Sequence, residues 1–186
     1  MKIFKLDRRE LEALIHYISY KADRDKLSAV KLHKILWYSE STYYLRYKKP
    51  IVGETYVKGP HGPMSPHANQ AIKNLKKQDK MAVTDVGYHF NTRKKEYVPL
   101  IDPDLSDFSA EEISHVDLWI DAICRNTASG VSEFSHNEIW AVANEGEDIP
   151  YSAAIFAVST PPSEECIAWA NSIKCEGALL SEAVEA

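Results

Sequence analysis

Imidazoles stand near other potential ligands at three places in this chain: His61 with His67, His115 with Asp117, and His136 with Glu138. Such pairs could hold a metal ion or relay a proton. Their spacing argues against both. Residues at i and i+2 of a helix point roughly 200° apart, so neither histidine–carboxylate pair chelates from helical geometry. None of the histidines has the spacing of a zinc-hydrolase helix. Nucleophilic chemistry fares no better, because Gly-x-Ser-x-Gly is absent and Cys124 falls on the same helical face as Ile120 and Ile123, where a buried inert thiol is expected. The segment KGPHGPMS at 58–65 invites a phosphate-cradle reading, but its lysine precedes the glycines and its two prolines remove amide donors. It reads instead as a rigid turn, with Lys58 and His61 as recognition groups on it. The expectation is a protein with no catalytic residues, no metal and no cofactor.

A nucleic-acid interface is the alternative. Lys31, Lys34, Arg46, Lys48 and Lys49 interleave with Tyr43, Tyr44 and Tyr47, and bases could stack on such rings. The same tyrosines also fit the core pattern of a helix, and a pI of 5.8 is low for a domain of that kind.

The elements that position these residues follow from caps and periodicity. Asp7 with Glu10 opens a helix carrying Leu11, Leu14, Ile15 and Ile18 on one stripe to about Lys21. Ser28 caps a second helix, apolar on more than one side and hence central, which Lys48, Lys49 and Pro50 end. Glycines and prolines between Gly53 and Pro66 forbid helix until Ser65 and Pro66 start a third, with Ala68, Ile72 and Leu75 inward. Apolar runs on either side of a polar NTRKK turn predict a hairpin around residues 82–99. Ser109 with Glu112 opens a helix expected to end near Gly130, and Ser135 with Glu138 opens a short one closed by Gly146. Ser163 is a further cap before Ile167, Trp169, Ala170 and Ile173, and the last ten or so residues are expected to fray. The sum is a mainly α (α+β) compact domain of about six helices with one short β-hairpin. It divides into residues 1–151 and a C-terminal helical extension, 152–186.

Composition sets the outer bounds. The chain has 186 residues, 45% hydrophobic and 26% charged, which excludes collagen-like and wholly disordered classes. The longest apolar stretch, residues 153–158, is far below the roughly 20 needed to span a bilayer, and the N-terminus lacks a secretory core. Cys124, Cys166 and Cys175 are an odd number and too late in the chain to staple it. A cytoplasmic location is expected. The net charge of −5 conceals a split, with +10 over residues 1–100 and −15 over residues 101–186. The simplest consequence is mutual neutralisation within one domain.

Three segments in order carry a resemblance: KLHKILWYSESTYYLRYKKPIVGETYVKGPHGPMSP at 31–66, FSAEEISHVDLWID at 108–121, and SEFSHNEIWAVANEGEDIPY at 132–151. Together they resemble the SocA-like antitoxin family, or Panacea domain. Lys31, Leu32, Lys34, Ile35 and Tyr38 match its first helix, and Lys58, Gly59, Pro60, Gly62 and Pro63 match its turn, here expanded to KGPHGPM. Ser135, His136, Glu138 and Trp140 match its Ser-His-x-Glu-x-x-Trp motif, with Trp140 one residue closer to the glutamate. The resemblance implies a bacterial or phage-associated antitoxin that neutralises a cognate toxin, encoded in the same operon, by direct protein contact. One branch acts as an adaptor that hands its toxin to a protease, such as an AAA+ protease. It implies no catalytic residues. Joined to the reading of the turn, it makes Arg46, Tyr47, Tyr56, Lys58 and His61 the candidate toxin-binding residues, as aromatic, Arg and charge-complementary anchors. The reshaped turn is where partner specificity is expected to reside.

Overall fold

The computed structural model describes residues 4–88, 92–136 and 138–155. Asp7 sits in extended backbone and accepts the amide protons of Arg9 and Glu10, which starts α1 (Arg8–Lys21). Ser28 does the same for α2 (Ala29–Tyr47), whose last turn closes on Lys48 in the left-handed region. From Lys31 to Ser41 nearly every residue of α2 is buried, because α1 and two later helices, α4 (Ala110–Cys124) and α5 (Ala128–Phe134), pack around it. Trp37 and Tyr38 are the largest of these side chains. Trp37 meets Tyr56 edge to face at 5.1 Å, and Tyr38 stacks on Trp119 at 4.6 Å.

After α2 the Gly/Pro-rich stretch forms structure of its own. β1 (Tyr56–Gly59) and β2 (Gly62–Met64) make a tight antiparallel hairpin, with Lys58 opposite Pro63 and Gly59 opposite Gly62. β5 (Asp148–Ile149) returns from about 90 residues later to pair with β1, giving the order β2-β1-β5. α3 (Ala68–Lys77) begins later than its sequence signals suggest: His67 precedes the first helical residue, and the Ser65 hydroxyl accepts the Ala68 amide proton from outside the helix. Its Ala68, Ala71 and Leu75 are buried.

The expected hairpin is present as β3 (Met81–Tyr88) and β4 (Thr92–Pro99), with Val83 opposite Tyr97. α4 (Ala110–Cys124) opens on a complete capping box: Ser109 accepts the Glu112 amide proton, and Glu112 accepts from the Ser109 backbone. It ends at Cys124, short of the expected Gly130. Thr127 accepts the Gly130 amide proton and starts a separate α5 (Ala128–Phe134). A five-residue α6 (Glu138–Val142) and a 3₁₀ turn (Tyr151–Ala154) complete the described elements. The fold is therefore a mainly helical α+β domain. The helix expected after Ser163 lies outside the described residues. Among the described residues no helix is long and apolar enough to cross a membrane.

Candidate functional site

Three carbonyls of the β1–β2 hairpin are each held by a side chain from another element. Ser132 of α5 donates to the His61 carbonyl at 3.1 Å, Trp140 of α6 donates its indole N–H to the Gly59 carbonyl at 3.1 Å, and Lys34 of α2 donates to the Pro63 carbonyl at 3.2 Å. Lys58 reaches the other way. Its Nζ donates to the carbonyls of Ala143 at 2.8 Å and Ala141 at 3.3 Å, just where α6 ends, and lies 4.4 Å over the Trp140 ring. The Trp140 indole also lies parallel to the His136 ring, with centroids 3.7 Å apart. Ser135 closes α5 by donating to the Ser132 carbonyl. Ser132 and Trp140 thus clasp the turn, and His136 braces them, stacked on Trp140 with its Nε2 3.4 Å from the Ser132 hydroxyl.

Gly62 makes that clasp possible. It has φ +96°, and a Cβ there would fall 2.2 Å from the Ser135 hydroxyl and 2.4 Å from Lys34 Nζ. Lys34 is almost wholly buried, and burial pulls its ammonium down to about 7. His33 beside it is lowered to about 4, by burial and then by Lys34, and its Nδ1 accepts the Ser65 amide proton at 3.2 Å.

Two carboxylates are also buried, one on α2 and one in the loop before β1. Glu40, fully buried, accepts the amide protons of Ile51 at 2.9 Å and Val52 at 3.0 Å, and burial raises its carboxyl to about 7. Glu54, equally buried, accepts from the Ser65 hydroxyl, pairs with His67 Nδ1 at 2.9 Å and accepts the Thr55 amide proton at 2.8 Å. Above them opens a cavity of about 410 Å³, lined by aromatic side chains that include Phe4, Tyr44, Tyr56 and Tyr151. A second hollow of about 540 Å³, between α2 and α4, is lined by Thr42, Leu45, Arg46, His115, Leu118, Trp119 and Ala122.

The five residues singled out from sequence fall in two places. Arg46 and Tyr47 end α2 beside α4: the guanidinium lies 5.0 Å over the Tyr47 ring, and the Tyr47 hydroxyl donates to Glu111 at 2.5 Å. Tyr56, Lys58 and His61 belong to the hairpin. Tyr56 is 1% exposed and packs on Trp37, Lys58 is bound by the α6 carbonyls, and His61 stands exposed at the turn. The basic strip of α2 is likewise divided, since Lys31, Lys34 and Tyr43 are buried while Arg46, Lys48 and Lys49 are exposed. The histidine pairs go separate ways: His67 to Glu54, His115 to the Thr42 hydroxyl at 2.8 Å, and His136 to Trp140. Cys124 is buried, and burial pushes its thiol up.

Sequence reasoning missed the buried Lys34, Glu40 and Glu54. The available signal was a charged residue within an otherwise apolar helix face, as Glu40 is between Trp37 and Tyr44.

The class is an α+β, mainly helical domain whose signature motif fastens a surface turn. The family model for the antitoxin SocA-like, Panacea domain matches residues 32–141, and the chain belongs to that family. The match begins within α2 and ends in α6, so it contains Lys34, the β1–β2 hairpin, Ser132, His136 and Trp140. No curated protein and no solved structure matches the chain.

Proposed function

We propose that this chain neutralises a cognate toxin by direct protein contact, without making or breaking a bond itself. The family supports a toxin–antitoxin role in general. The observation that carries the finer reading is the clasp. Ser132 and Trp140 hold the carbonyls of His61 and Gly59, and His136 stacks on Trp140, which leaves a preformed surface around Pro60 and His61. A rigid surface binds without losing loop entropy, so more of the contact energy appears as affinity. In this reading His61 touches the toxin, Lys58 holds the turn and sets its charge, and Arg46 and Tyr47 extend the contact along α2.

The test is co-expression with the product of the adjacent open reading frame. Neutralisation together with a stable co-purifying complex, lost in His61→Glu, supports the reading. Neutralisation without a complex, but with a shortened toxin half-life, redirects it to delivery to a protease. A salt-sensitive shift of the operon's own DNA with no effect on the toxin replaces it with nucleic-acid regulation.

A further inference from the structure

The cavity between α2, β1 and β5 has walls and a floor of different character. Phe4, Tyr44, Tyr56 and Tyr151 supply the walls, and their rings meet at angles of 40–72° rather than stacking flat. Gly53 lets the wall close. At φ +75° it lies so near the chain entering from the N-terminus that a Cβ would come 2.8 Å from the Lys5 carbonyl, and this approach seats Phe4. Glu54 lines the floor and Glu40 lies near Tyr56 and Tyr151, both buried. Asp148 stands exposed among the lining residues, and none of the described lining residues is a lysine or arginine.

The two phenols register this field. Tyr56 and Tyr151 are both pushed well above the ordinary range, first by burial and then by the charges of Glu40 and Glu54. Among the described residues the buried Tyr56 hydroxyl has no hydrogen-bond partner, and the Tyr151 hydroxyl donates to the Glu54 carbonyl. Electron-rich ring faces beside an exposed carboxylate, here Asp148, are the environment that attracts an organic cation. The volume is at the small end of ligand sites, enough for one extended side chain.

The geometry points to this cavity as the receptor for a single guanidinium or alkylammonium side chain of the toxin, an anchor inserted between the aromatic walls beside the Asp148 carboxylate. The choice of a toxin as bearer rests on the docking reading above; the cationic chemistry rests on the cavity alone. Arginine is a common anchor at protein interfaces, where its planar group stacks on rings while its edge meets carboxylates.

N-acetyl-arginine amide, titrated into the full chain and followed by the aromatic NMR shifts of Tyr44 and Tyr151, tests the chemistry against its neutral isostere N-acetyl-citrulline amide. The expected result is saturable binding of the arginine probe, at least about 10-fold weaker for the citrulline probe. Asp148→Asn should weaken the arginine probe about threefold, Tyr44→Ala should abolish saturation, and Tyr44→Phe should restore it. Equal binding of both probes, or no saturable shift in the folded wild-type chain, overturns the assignment. Competition identifies the bearer: the arginine probe should displace the captured toxin. Capture that ignores the probe leaves the docking reading standing and removes the toxin side chain from this cavity. Charge-selective probe binding with no toxin captured does the reverse, leaving a site for a free organic cation.

Discussion

Lys34 donates its ammonium to the Pro63 carbonyl from a buried position, and burial holds its folded pKa at about 7, well below the ordinary lysine value of 10.5. Above 10.5 the group is neutral folded or unfolded, and burial costs nothing electrostatically. Below 7 it is charged in both states, and the folded state carries the whole desolvation cost. Wild-type stability relative to Lys34→Met should therefore rise by roughly 2–4 kcal/mol as the pH climbs from about 7 to about 10. Urea midpoints of both proteins across that range measure it, and a difference that does not move with pH contradicts a buried, depressed lysine. Gly62→Ala tests the same junction sterically. The methyl group would meet Ser135 and Lys34 with φ already positive, so a loss of roughly 2–4 kcal/mol is expected, against no more than about 0.5 for Gly87→Ala, which has open space around it. Equal melting temperatures for the two variants would mean that the hairpin does not press on α2 and α5 as described.

Among the elements, the hairpin and α6 depend on each other. α6 has five residues, too few to be stable as an isolated helix, and its terminal carbonyls are satisfied by Lys58 from β1. Lys58→Met should cost about 1–2 kcal/mol and speed hydrogen exchange in α6. His61→Glu should leave the melting temperature unchanged, because His61 is exposed and it is its carbonyl, not its ring, that Ser132 holds. If Lys58→Met is as silent as His61→Glu, the lysine is a surface group and the clasp is overstated. This division was only half legible in the sequence. Asp7, Ser28 and Ser109 announced their helices because a cap is a local bond between residues two or three apart. The long hairpin was legible from alternation. The β2-β1-β5 sheet was not, since its strands are two to four residues long, are built partly from glycine and proline, and pair across about 90 residues. The division at Thr127 was missed for a related reason, because Asn126 and Thr127 interrupt an apolar pattern that continues into Val131. For the candidate site, the exposed His61 could be read from turn chemistry. The inward course of Lys34, Glu40, Glu54 and Tyr56 depends on which neighbours surround α2, and that is a tertiary property.

At the scale of the molecule, the charge split of the sequence becomes a contact between α4 and the basic first half. Asp117 meets Lys21 at 3.5 Å and the Tyr17 hydroxyl at 2.6 Å, while Glu112 meets Lys49 at 3.2 Å. Lys21 and Lys49 are more than half exposed, so each ion pair contributes under about 1 kcal/mol and weakens as salt is added. Beneath them Val116, Ile120 and Ile123 are buried in the core around α2, where apolar burial does not respond to screening. The two contributions can be separated by one comparison. Raising the salt from low ionic strength to about 0.5 M should lower stability by no more than about 1–2 kcal/mol for the few pairs involved. Ile120→Ala, with the charges untouched, should lose about 2–5 kcal/mol through the cavity it leaves. Denaturant midpoints measured at both salt levels for wild type and variant give all four values. A salt effect as large as the Ile120→Ala effect would mean that the acidic and basic halves are held together by charge, with α4 able to lift from α2 when that charge is screened.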